Sequence, residues 1–388
     1  MYELTILMPC LNEADTLGRC IEKAQAFLNQ ENISGEILIA DNGSTDGSQS
    51  IARALGARVI SVVTKGYGAT LRSGMEAAKG RFIIMGDADD SYNFLDLKPF
   101  LVKLREGYDL VMGNRFKGGI SAGAMPALNR YLGNPALSFL GRMFFNCNIG
   151  DFHCGLRGFH RERLLQLGLV GDGMEFASEI VIKAVLKELR IAEIPIQLFP
   201  DGRKRRPHLR PWRDGWRHLR LLLLFSPNWL FLYPGLALLM FGTSLMFFLT
   251  QGPLRLGQIN LDIHTLLLSG LFVILGMQAI LFAVFAKLIL LKGLRLSLKR
   301  SRLSSLLKIF TLERGIGTGL LFLMMGLTGA AYGFWYWANH AFGPLMPTQM
   351  MRILIPAITA LILGAQIIFG SFFLSFINMV DASLNRTQ

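Results

Sequence analysis

Cysteines are few in this sequence, and none lies in a spacing that a zinc ribbon or a disulfide framework requires. The four are Cys10, Cys20, Cys147 and Cys154. No C-x-x-C pair occurs, so the pattern predicts free thiols of the kind found in a reducing compartment. A zinc site from His153, Cys154 and His160 is the alternative, but no fourth ligand lies nearby in the sequence.

Two phosphate-binding motifs are absent as well. No G-x-G-x-x-G opens the first helix, which excludes a Rossmann dinucleotide fingerprint, and no G-x-x-x-x-G-K-[ST] phosphate loop occurs. The first ten residues, MYELTILMPC, carry no basic region and no long apolar run. We therefore expect no cleaved signal peptide and a first domain that stays in the cytoplasm.

The charge and the apolar residues are unevenly distributed. Of 388 residues, 52% are hydrophobic, which indicates a chain that is part globular and part membrane-embedded. Segment 203–220 contains eight basic residues and one acidic residue, and segment 292–314 contains seven and one, which together account for the net charge of +13. Because this charge flanks apolar runs, it is typical of a chain beside an anionic membrane and argues against a nucleic-acid partner.

Short β-rich runs alternate with helical patterns in the first half of the chain. The runs lie at 4–9, 36–40, 58–63 and 82–85, and each is followed by a turn and a helical pattern. This βαβαβαβ order predicts an α/β domain with a doubly wound, mostly parallel sheet.

Acidic residues follow three of these strands. Glu13, Asp41 and the pair Asp87 and Asp89 come where strands end, and the carboxyl ends of parallel strands share one edge of the sheet. Two carboxylates separated by one small residue can hold a divalent cation through oxygen ligands. The pattern therefore predicts a metal diphosphate site. The alternative is an acidic turn that caps the next helix.

Together these segments resemble the successive motifs of family 2 inverting glycosyltransferases, which have the GT-A fold. The motifs are PCLNE at 9–13, DNGSTDG at 41–47, KGYG at 65–68 and GDAD at 86–89. Within the family, the chain is similar to polyprenyl-phosphate sugar synthases such as dolichyl-phosphate mannosyltransferases. The resemblance implies a GT-A domain over residues 1–205 that binds a nucleotide diphosphate sugar with Mg²⁺ or Mn²⁺.

The resemblance also assigns roles to individual residues. Those implied to bind the nucleotide sugar are Pro9, Leu11, Asn12, Glu13, Asp41, Lys65, Asp87, Ala88, Asp89, Arg115 and Arg203. Asp87, Asp89 and Ser91 are the implied metal ligands; because many relatives carry Gln at the position of Ser91, Asp90 or water is the alternative third ligand. Asp89, Arg115 and Arg130 are implied to be catalytic, because they would offset charge on the leaving diphosphate and hold the acceptor phosphate.

Further motif matches concern the acceptor. Arg130 and Asn134, four residues apart on one predicted helical face, match the family's acceptor-phosphate positions; an ordinary surface arginine is the alternative. The glycine-rich segment 118–125 is either a mobile acceptor loop or a plain surface linker. Four more candidates lie in segments that resemble the family near this side: Asp151, Arg157, Glu179 and Lys183.

The rest of the chain is predicted to meet the membrane. Segment 206–226 is basic and amphipathic, with Trp212 and Trp216 four apart, and predicts an interfacial helix; a basic stop-transfer flank is the alternative. A transmembrane domain follows over 227–388. Its apolar runs, each longer than the roughly 20 residues that cross a bilayer, lie at about 229–250, 264–290, 315–338 and 352–378.

The loops between these runs predict the orientation of the chain. The 291–314 loop is strongly basic, whereas loops 251–263 and 339–351 together contain a single Lys or Arg residue, Arg255. The positive-inside rule then places the enzyme domain and both termini in the cytoplasm of a multi-pass protein of a bacterial or archaeal cell membrane. Small residues such as Gly326, Gly329 and Ala330 suit close helix contacts, including those of a homo-oligomer.

These observations and the resemblance predict one reaction. A single sugar passes from a nucleotide diphosphate sugar to a polyprenyl phosphate, undecaprenyl or dolichyl, with inversion at the anomeric carbon. One alternative is a processive polysaccharide synthase, although its usual Q-x-x-R-W motif is absent after the D-x-D segment. Another is a non-catalytic subunit of a lipid flippase that only binds nucleotide sugar.

Overall fold

The structure is a computed structural model that describes residues 2–203, 211–294 and 311–384. It divides into two units, Met1–Phe225 and Ser226–Gln388. Parts of three predictions lie outside the described residues. These parts are the boundary at 205 with the start of the 206–226 segment, most of the 291–314 loop, and the C-terminus after 384.

The first unit contains a seven-stranded sheet. Its strands are β1 Leu4–Cys10, β2 Gly35–Asp41, β3 Arg58–Ser61, β4 Phe82–Met85, β5 Leu110–Asn114, β6 Arg157–His160 and β7 Ile191–Pro195. The strand order is β3-β2-β1-β4-β6-β5-β7. All neighbouring pairs are parallel except those of β6, which runs antiparallel to β4 and β5. The predicted mostly parallel α/β sheet is confirmed, whereas β6 was not predicted because RGFH lacks an apolar run.

Helices of the first unit connect these strands and cover both faces of the sheet. They are α1 Leu17–Gln30, α2 Ser48–Ala54, α3 Tyr67–Ala77, α4 Lys98–Arg105, α5 Arg115–Gly118, α6 Asn134–Phe145, α7 Arg161–Leu165, α8 Phe176–Leu186 and α9 Pro211–Leu224. A π-helical turn, Asn129–Gly133, leads directly into α6. The amphipathic prediction at 206–226 thus corresponds to helix α9 in its described part.

Alternation along β1 shows how the sheet is buried. Leu4, Ile6 and Met8 pack with α1 and α4 on one face, and Leu7 packs with α3 and α8 on the other. Successive side chains of a strand point to opposite faces, so a strand buried on both faces reads as a continuous apolar run. This sandwich leaves the carboxyl ends of the parallel strands, with their polar loops, at one accessible edge.

The second unit consists mainly of four long helices. They are α10 Tyr233–Gln251, α11 Ile263–Gly293, α12 Leu312–Asn339 and α13 Pro347–Leu384, with a π-helical turn, Asn228–Leu232, before α10. A small hairpin, β8 Leu254–Leu256 and β9 Ile259–Leu261, joins α10 to α11. Within the described residues, four helices are long and apolar enough to cross a membrane, as predicted.

Small residues of α12 pack within the chain. A Cβ atom on Gly326 would lie 2.7 Å from the Ala357 carbonyl oxygen of α13, and one on Gly329 would lie 2.8 Å from the Ala357 Cβ atom. A larger residue at Gly326 would therefore push the two helices apart. These two glycines, predicted for helix contacts, make them inside one copy of the chain.

Candidate functional site

A cavity of about 650 Å³ opens at the carboxyl edge of the sheet. The predicted site residues that line it are Pro9, Leu11, Glu13, Lys65, Asp87, Ala88, Asp89, Ser91, Arg115, Asn134 and Arg203. These residues come from strand ends and loops that are distant in sequence. The structure therefore brings most of the predicted site together at one place.

Asp87 and Asp89 form the acidic part of the cavity. The Tyr67 hydroxyl donates to Asp87 Oδ1 at 3.0 Å. Burial and the neighbouring Asp89 carboxylate raise the pKa of Asp87 to about 6, while the Tyr67 hydrogen bond and the charges of Arg203 and Arg115 oppose this shift. Two carboxylates whose charges oppose each other in this way suit a divalent cation with oxygen ligands, so the donor set fits Mg²⁺ or Mn²⁺.

The third predicted metal ligand, Ser91, is placed differently. Its backbone N–H donates to Asp89 Oδ1 at 3.1 Å, and its hydroxyl donates to the same oxygen at 2.5 Å. Ser91 therefore orients Asp89. Neighbouring Asp90 pairs with Lys23 at 2.6 Å and Arg19 at 3.4 Å. Among the described residues, no group of three His, Cys, Asp or Glu residues is arranged to hold a metal.

Arg203 lies between two of the acids. Its Nε atom is 3.3 Å from Glu13 Oε2, and its guanidinium also donates to Asp89 Oδ2. The side chain is largely buried, which strengthens both pairings. Glu13, Asp89 and Arg203 thus lie together in the cavity.

The turn after β2 is built by its own polar groups. Asp41 is fully buried, and its carboxylate accepts from the N–H groups of Gly43 and Ser44 and from Gln49 Nε2 at 2.6 Å. Asn12 Oδ1 accepts from the Thr45 N–H at 2.8 Å. Asp41 and Asn12, predicted to contact the nucleotide, therefore shape the loop behind the cavity wall.

Asn42 is a cavity residue that the sequence reasoning missed. Its Nδ2 donates to the carbonyls of Val62 and Thr64, and its Oδ1 accepts from the Gly66 N–H at 3.0 Å. Its backbone carbonyl accepts from Lys65 Nζ at 2.6 Å. Asn42 belongs to the DNGSTDG motif, but only the acidic residue Asp41 of that motif was predicted as a site residue.

Arg115 is the cavity arginine on the β5 side. Its guanidinium makes a bidentate ion pair with Asp151, with Nε at 2.7 Å from Oδ2 and Nη2 at 2.8 Å from Oδ1. Asp151 is fully buried and raises the pKa of Arg115, while burial opposes this shift. The pair fixes the guanidinium at the cavity wall, where it can face phosphate oxygens.

Arg157, Glu179 and Lys183, which were predicted as candidate site residues, make their contacts within the fold. Arg157 is fully buried and donates to the carbonyls of Cys154, Ala177 and Phe152. It therefore ties β6 to helix α8.

Glu179 and Lys183 form the second structural group. They pair at 2.6 Å, one helical turn apart on α8. Glu179 also accepts from the N–H groups of Val170 and Gly171, and Lys183 donates to the Gly168 carbonyl. Both side chains are thus committed to holding the 168–171 loop against α8.

Arg130 and Asn134, which were predicted to bind the acceptor phosphate, lie at a π-helical turn and at the start of α6. Asn134 N–H donates to the Asn129 carbonyl, an i to i+5 bond, so Asn129 and Asn134 share the face that lines the cavity. Arg130 lies outside the cavity that the described residues form, with its guanidinium 5.5 Å from the Tyr131 ring centroid.

The 118–125 segment is also defined by the structure. Ile120 forms a parallel bridge with Leu198, and the Ser121 N–H donates to the Leu198 carbonyl. Ala124 and Met125 line the cavity. The segment is thus a loop anchored at one end whose other end contributes to the cavity wall.

Two histidines of the cavity were not predicted as site residues. His153 lies in the loop before β6, and His218 lies on α9. His160, in contrast, packs edge-on against Phe82 in the sheet, so the alternative zinc site is not formed. All four cysteines are free, as predicted.

Comparisons with known proteins identify the family of the chain. The model "Glycosyl transferase family 2" matches residues 5–168, and the model "Glycosyltransferase family 2 C-terminal transmembrane region" matches residues 293–378. A low-salt glycan biosynthesis hexosyltransferase of Haloferax volcanii is 35% identical over 376 residues, which are 96% of this chain and 88% of that protein.

Two further similarities cover about half of the chain. A dolichyl-phosphate hexose transferase of Haloferax volcanii is 30% identical over 50% of this chain and 82% of its own length. The crystal structure of glucosyl-3-phosphoglycerate synthase from Mycobacterium tuberculosis with Mg²⁺ and UDP has a TM-score of 0.47 at 23% identity, over 58% of this chain and 79% of that one. Sheet topology and family models together confirm the predicted GT-A domain. The chain belongs to glycosyltransferase family 2 and carries that family's C-terminal transmembrane region.

Proposed function

We propose that this chain transfers a single hexose from a nucleotide diphosphate sugar to a polyprenyl phosphate, undecaprenyl or dolichyl, with inversion at the anomeric carbon. The observation that carries the proposal is the shared cavity of Asp87, Asp89, Arg115 and Arg203 at the carboxyl edge of the sheet. Acids for a cation and arginines for phosphate oxygens are the groups that a diphosphate donor requires.

The donor side follows from the order of the strands. Pro9, near the end of β1, and Leu11, just after it, would form the nucleoside end of the cavity, and Asp87 and Asp89 follow the neighbouring strand β4. Asp87 and Asp89 would hold Mg²⁺ or Mn²⁺, which supplies positive charge against the leaving diphosphate when it is bound. Arg203, already paired with Glu13 and Asp89, adds a second positive group at the same place.

The acceptor phosphate has to be held in position, and it does not require a strong general base. A phosphate monoester with a second pKa of about 6 is largely dianionic at neutral pH, so its oxygen is already a nucleophile. Arg115, held by Asp151, would bind the acceptor phosphate together with the amides of Asn129 and Asn134. In-line attack from this side on the anomeric carbon gives inversion.

The membrane supplies the acceptor. Trp212 and Trp216 on α9 are 81% and 59% exposed, although both are large aromatic residues. Such residues beside arginines suit the headgroup layer. We therefore place α9 in the cytoplasmic interface, with the enzyme domain and both termini in the cytoplasm of a multi-pass cell-membrane protein.

A direct assay tests the proposed reaction. The full chain is purified in detergent and incubated with Mn²⁺, a short polyprenyl phosphate, and UDP-glucose, UDP-galactose or GDP-mannose, and the lipid is then analysed by mass spectrometry. The expected product carries one added hexose. A polymer would favour a processive synthase, and the absence of any lipid-linked sugar with a broad donor panel would contradict the proposal.

A further inference from the structure

Two histidines that line the cavity, outside the metal and phosphate groups, meet at the buried side chain of Ser178. Ser178 Oγ on α8 lies 3.2 Å from His153 Nε2 and 2.8 Å from His218 Nδ1. The two imidazole rings pack edge to face, with centroids 4.5 Å apart. A loop, a core helix and the amphipathic helix α9 therefore converge on one serine hydroxyl.

The hydrogen bonds determine what the two rings offer to a ligand. A hydroxyl donates one proton, so when Ser178 donates to one neutral ring it accepts from the other. The ring that accepts then carries N–H on its second nitrogen, and the ring that donates has a lone pair there. Together, His153 and His218 offer one donor and one acceptor.

One of these nitrogens lacks a partner within the protein. His153 Nδ1 is buried and makes no hydrogen bond to any of the described residues. Buried polar atoms are rarely left unsatisfied, because the desolvation cost is not recovered. Since His153 lines the cavity, a ligand group in the cavity is the natural partner.

Both rings are neutral at pH 7. Burial lowers the pKa of His218 to about 4, with Arg157 and Arg217 adding to the shift and Asp214 and Glu175 opposing it. Burial, His218 and two arginines lower the pKa of His153 as well. A neutral imidazole ring has no positive charge to attract a phosphate, whereas it forms a good hydrogen bond with an uncharged hydroxyl group.

The position of the cluster identifies those hydroxyls. Along the sheet edge, the nucleoside end lies at β1, the Asp87 and Asp89 pair at β4, and the His153 loop enters β6 on the far side. That loop passes close to Asp87, because a Cβ atom on Gly155 would lie 2.5 Å from Asp87 Oδ2. In a nucleotide sugar the hexose likewise follows the diphosphate.

We propose that His153 and His218, joined through Ser178, form the subsite that binds hydroxyl groups of the transferred hexose. His153 contacts the sugar through Nδ1, and Ser178 is a positioning residue that fixes both rings. The subsite rests on the proposed function, since it takes the donor's sugar as its ligand. It also gives helix α9 a part in selecting the donor.

Binding measurements separate the sugar from the nucleotide. For the donor accepted best, calorimetry with Mn²⁺ gives Kd values of the nucleotide sugar and of the matching nucleoside diphosphate for the full chain in detergent. His153→Ala should weaken nucleotide sugar binding about tenfold and leave nucleoside diphosphate binding within twofold. His153→Gln, which keeps hydrogen-bonding capacity, should restore part of the loss.

Further variants and a modified donor test the role of Ser178 and the location of the hexose subsite. Ser178→Ala should change the preference between glucose and galactose donors with little change in nucleoside diphosphate affinity. His264→Ala, on an exposed histidine of the second unit, is the matched control and should change neither Kd. A deoxy-sugar donor that lacks the contacted hydroxyl should bind wild type and His153→Ala equally well.

The outcomes are distinct. If His153→Ala and His218→Ala leave both affinities and the donor preference unchanged, the subsite is wrong while the proposed function stands. Equal weakening of nucleotide sugar and nucleoside diphosphate would also overturn it, because the effect would then lie outside the hexose. If wild type binds neither ligand, the donor site itself is wrong, and the subsite falls with it.

Discussion

At the level of single residues, the two aspartates of the D-x-D motif differ in their hydrogen-bond and ion-pair partners. Asp87 is held by the Tyr67 hydroxyl and lies beside Asp89, and its pKa of about 6 is above the ordinary 3.8 of an aspartate. A proton therefore competes with a bound cation at Asp87 within a readily accessible pH range. Asp89 is instead paired with Arg203 and Ser91.

This difference predicts a pH dependence of metal binding. Above about pH 7 the Mn²⁺ affinity, measured by calorimetry with nucleoside diphosphate present, should be constant, and below about pH 6 it should fall roughly tenfold per pH unit. Tyr67→Phe removes a hydrogen bond that lowers the pKa of Asp87, so the midpoint should move to higher pH. A midpoint near pH 4 in wild type would contradict the raised pKa.

The same shift predicts an effect on stability. Because the pKa of Asp87 is higher in the folded chain than in the unfolded chain, its charged form opposes folding above pH 6, and this opposition disappears as the pH falls from 6 towards 3.8. Asp87→Asn should therefore raise the Tm at pH 7 by about 2–4 °C without metal, while transfer is lost. Thermal unfolding with and without Mn²⁺ checks this, and a lower Tm would count against it.

Individual acids were easier to find from the sequence than their partners. Asp87 and Asp89 follow a buried strand, so their place at the sheet edge was predictable. The roles of Arg157, Glu179 and Lys183 were not, because a motif match does not show whether a side chain turns into the core. Only burial and hydrogen-bond partners separate the two cases.

At the level of elements, the π-helical turn before α6 and the first residue of that helix contribute to the cavity wall. Asn129 and Asn134 line the cavity, and Arg130 is not among the described residues that line it. Asn129→Ala should therefore raise the KM for polyprenyl phosphate several-fold, and Arg130→Ala should have a smaller effect. Steady-state kinetics on both variants, with donor KM as the control, would contradict the geometry if Arg130→Ala were the more damaging change.

Helix α9 links the enzyme domain to lipid in this account. Trp212→Ala combined with Trp216→Ala should raise the KM for polyprenyl phosphate in liposomes and leave the donor KM unchanged, because the loss concerns headgroup contacts. The matched phenylalanine variants should retain more of the wild-type value. Equal changes in both KM values would indicate damage to the cavity instead.

Regular elements were the predictable part of the fold. Apolar runs placed β1, β2 and β4, and four apolar stretches matched the long helices of the second unit. Strand β6 was not predicted because it begins with Arg157 and has no apolar run. Arg157 is buried through hydrogen bonds to backbone carbonyl groups, which the sequence does not reveal. The hairpin of β8 and β9 is three residues a strand, too short for a periodic signal.

At the level of the whole molecule, a soluble-type catalytic unit and a membrane unit occur in one chain. The family models match both parts, at residues 5–168 and 293–378. This combination suits a reaction between a water-soluble donor and a lipid acceptor, since each substrate has its own environment. Gly326 and Gly329 of α12 pack against α13 of the same chain. Self-association of the chain therefore has to be tested by a separate measurement.

The central claim is that Asp89, and not simply an acidic turn, carries the reaction. Asp90 is the matched control, because it is adjacent, it pairs with Lys23 and Arg19, and Asn tolerates its φ of 63°. Mass spectrometry of the polyprenyl phosphate is carried out after incubation with wild type, Asp89→Asn and Asp90→Asn. We predict one added hexose with wild type and Asp90→Asn, and none with folded Asp89→Asn; equal product from both variants would contradict the account.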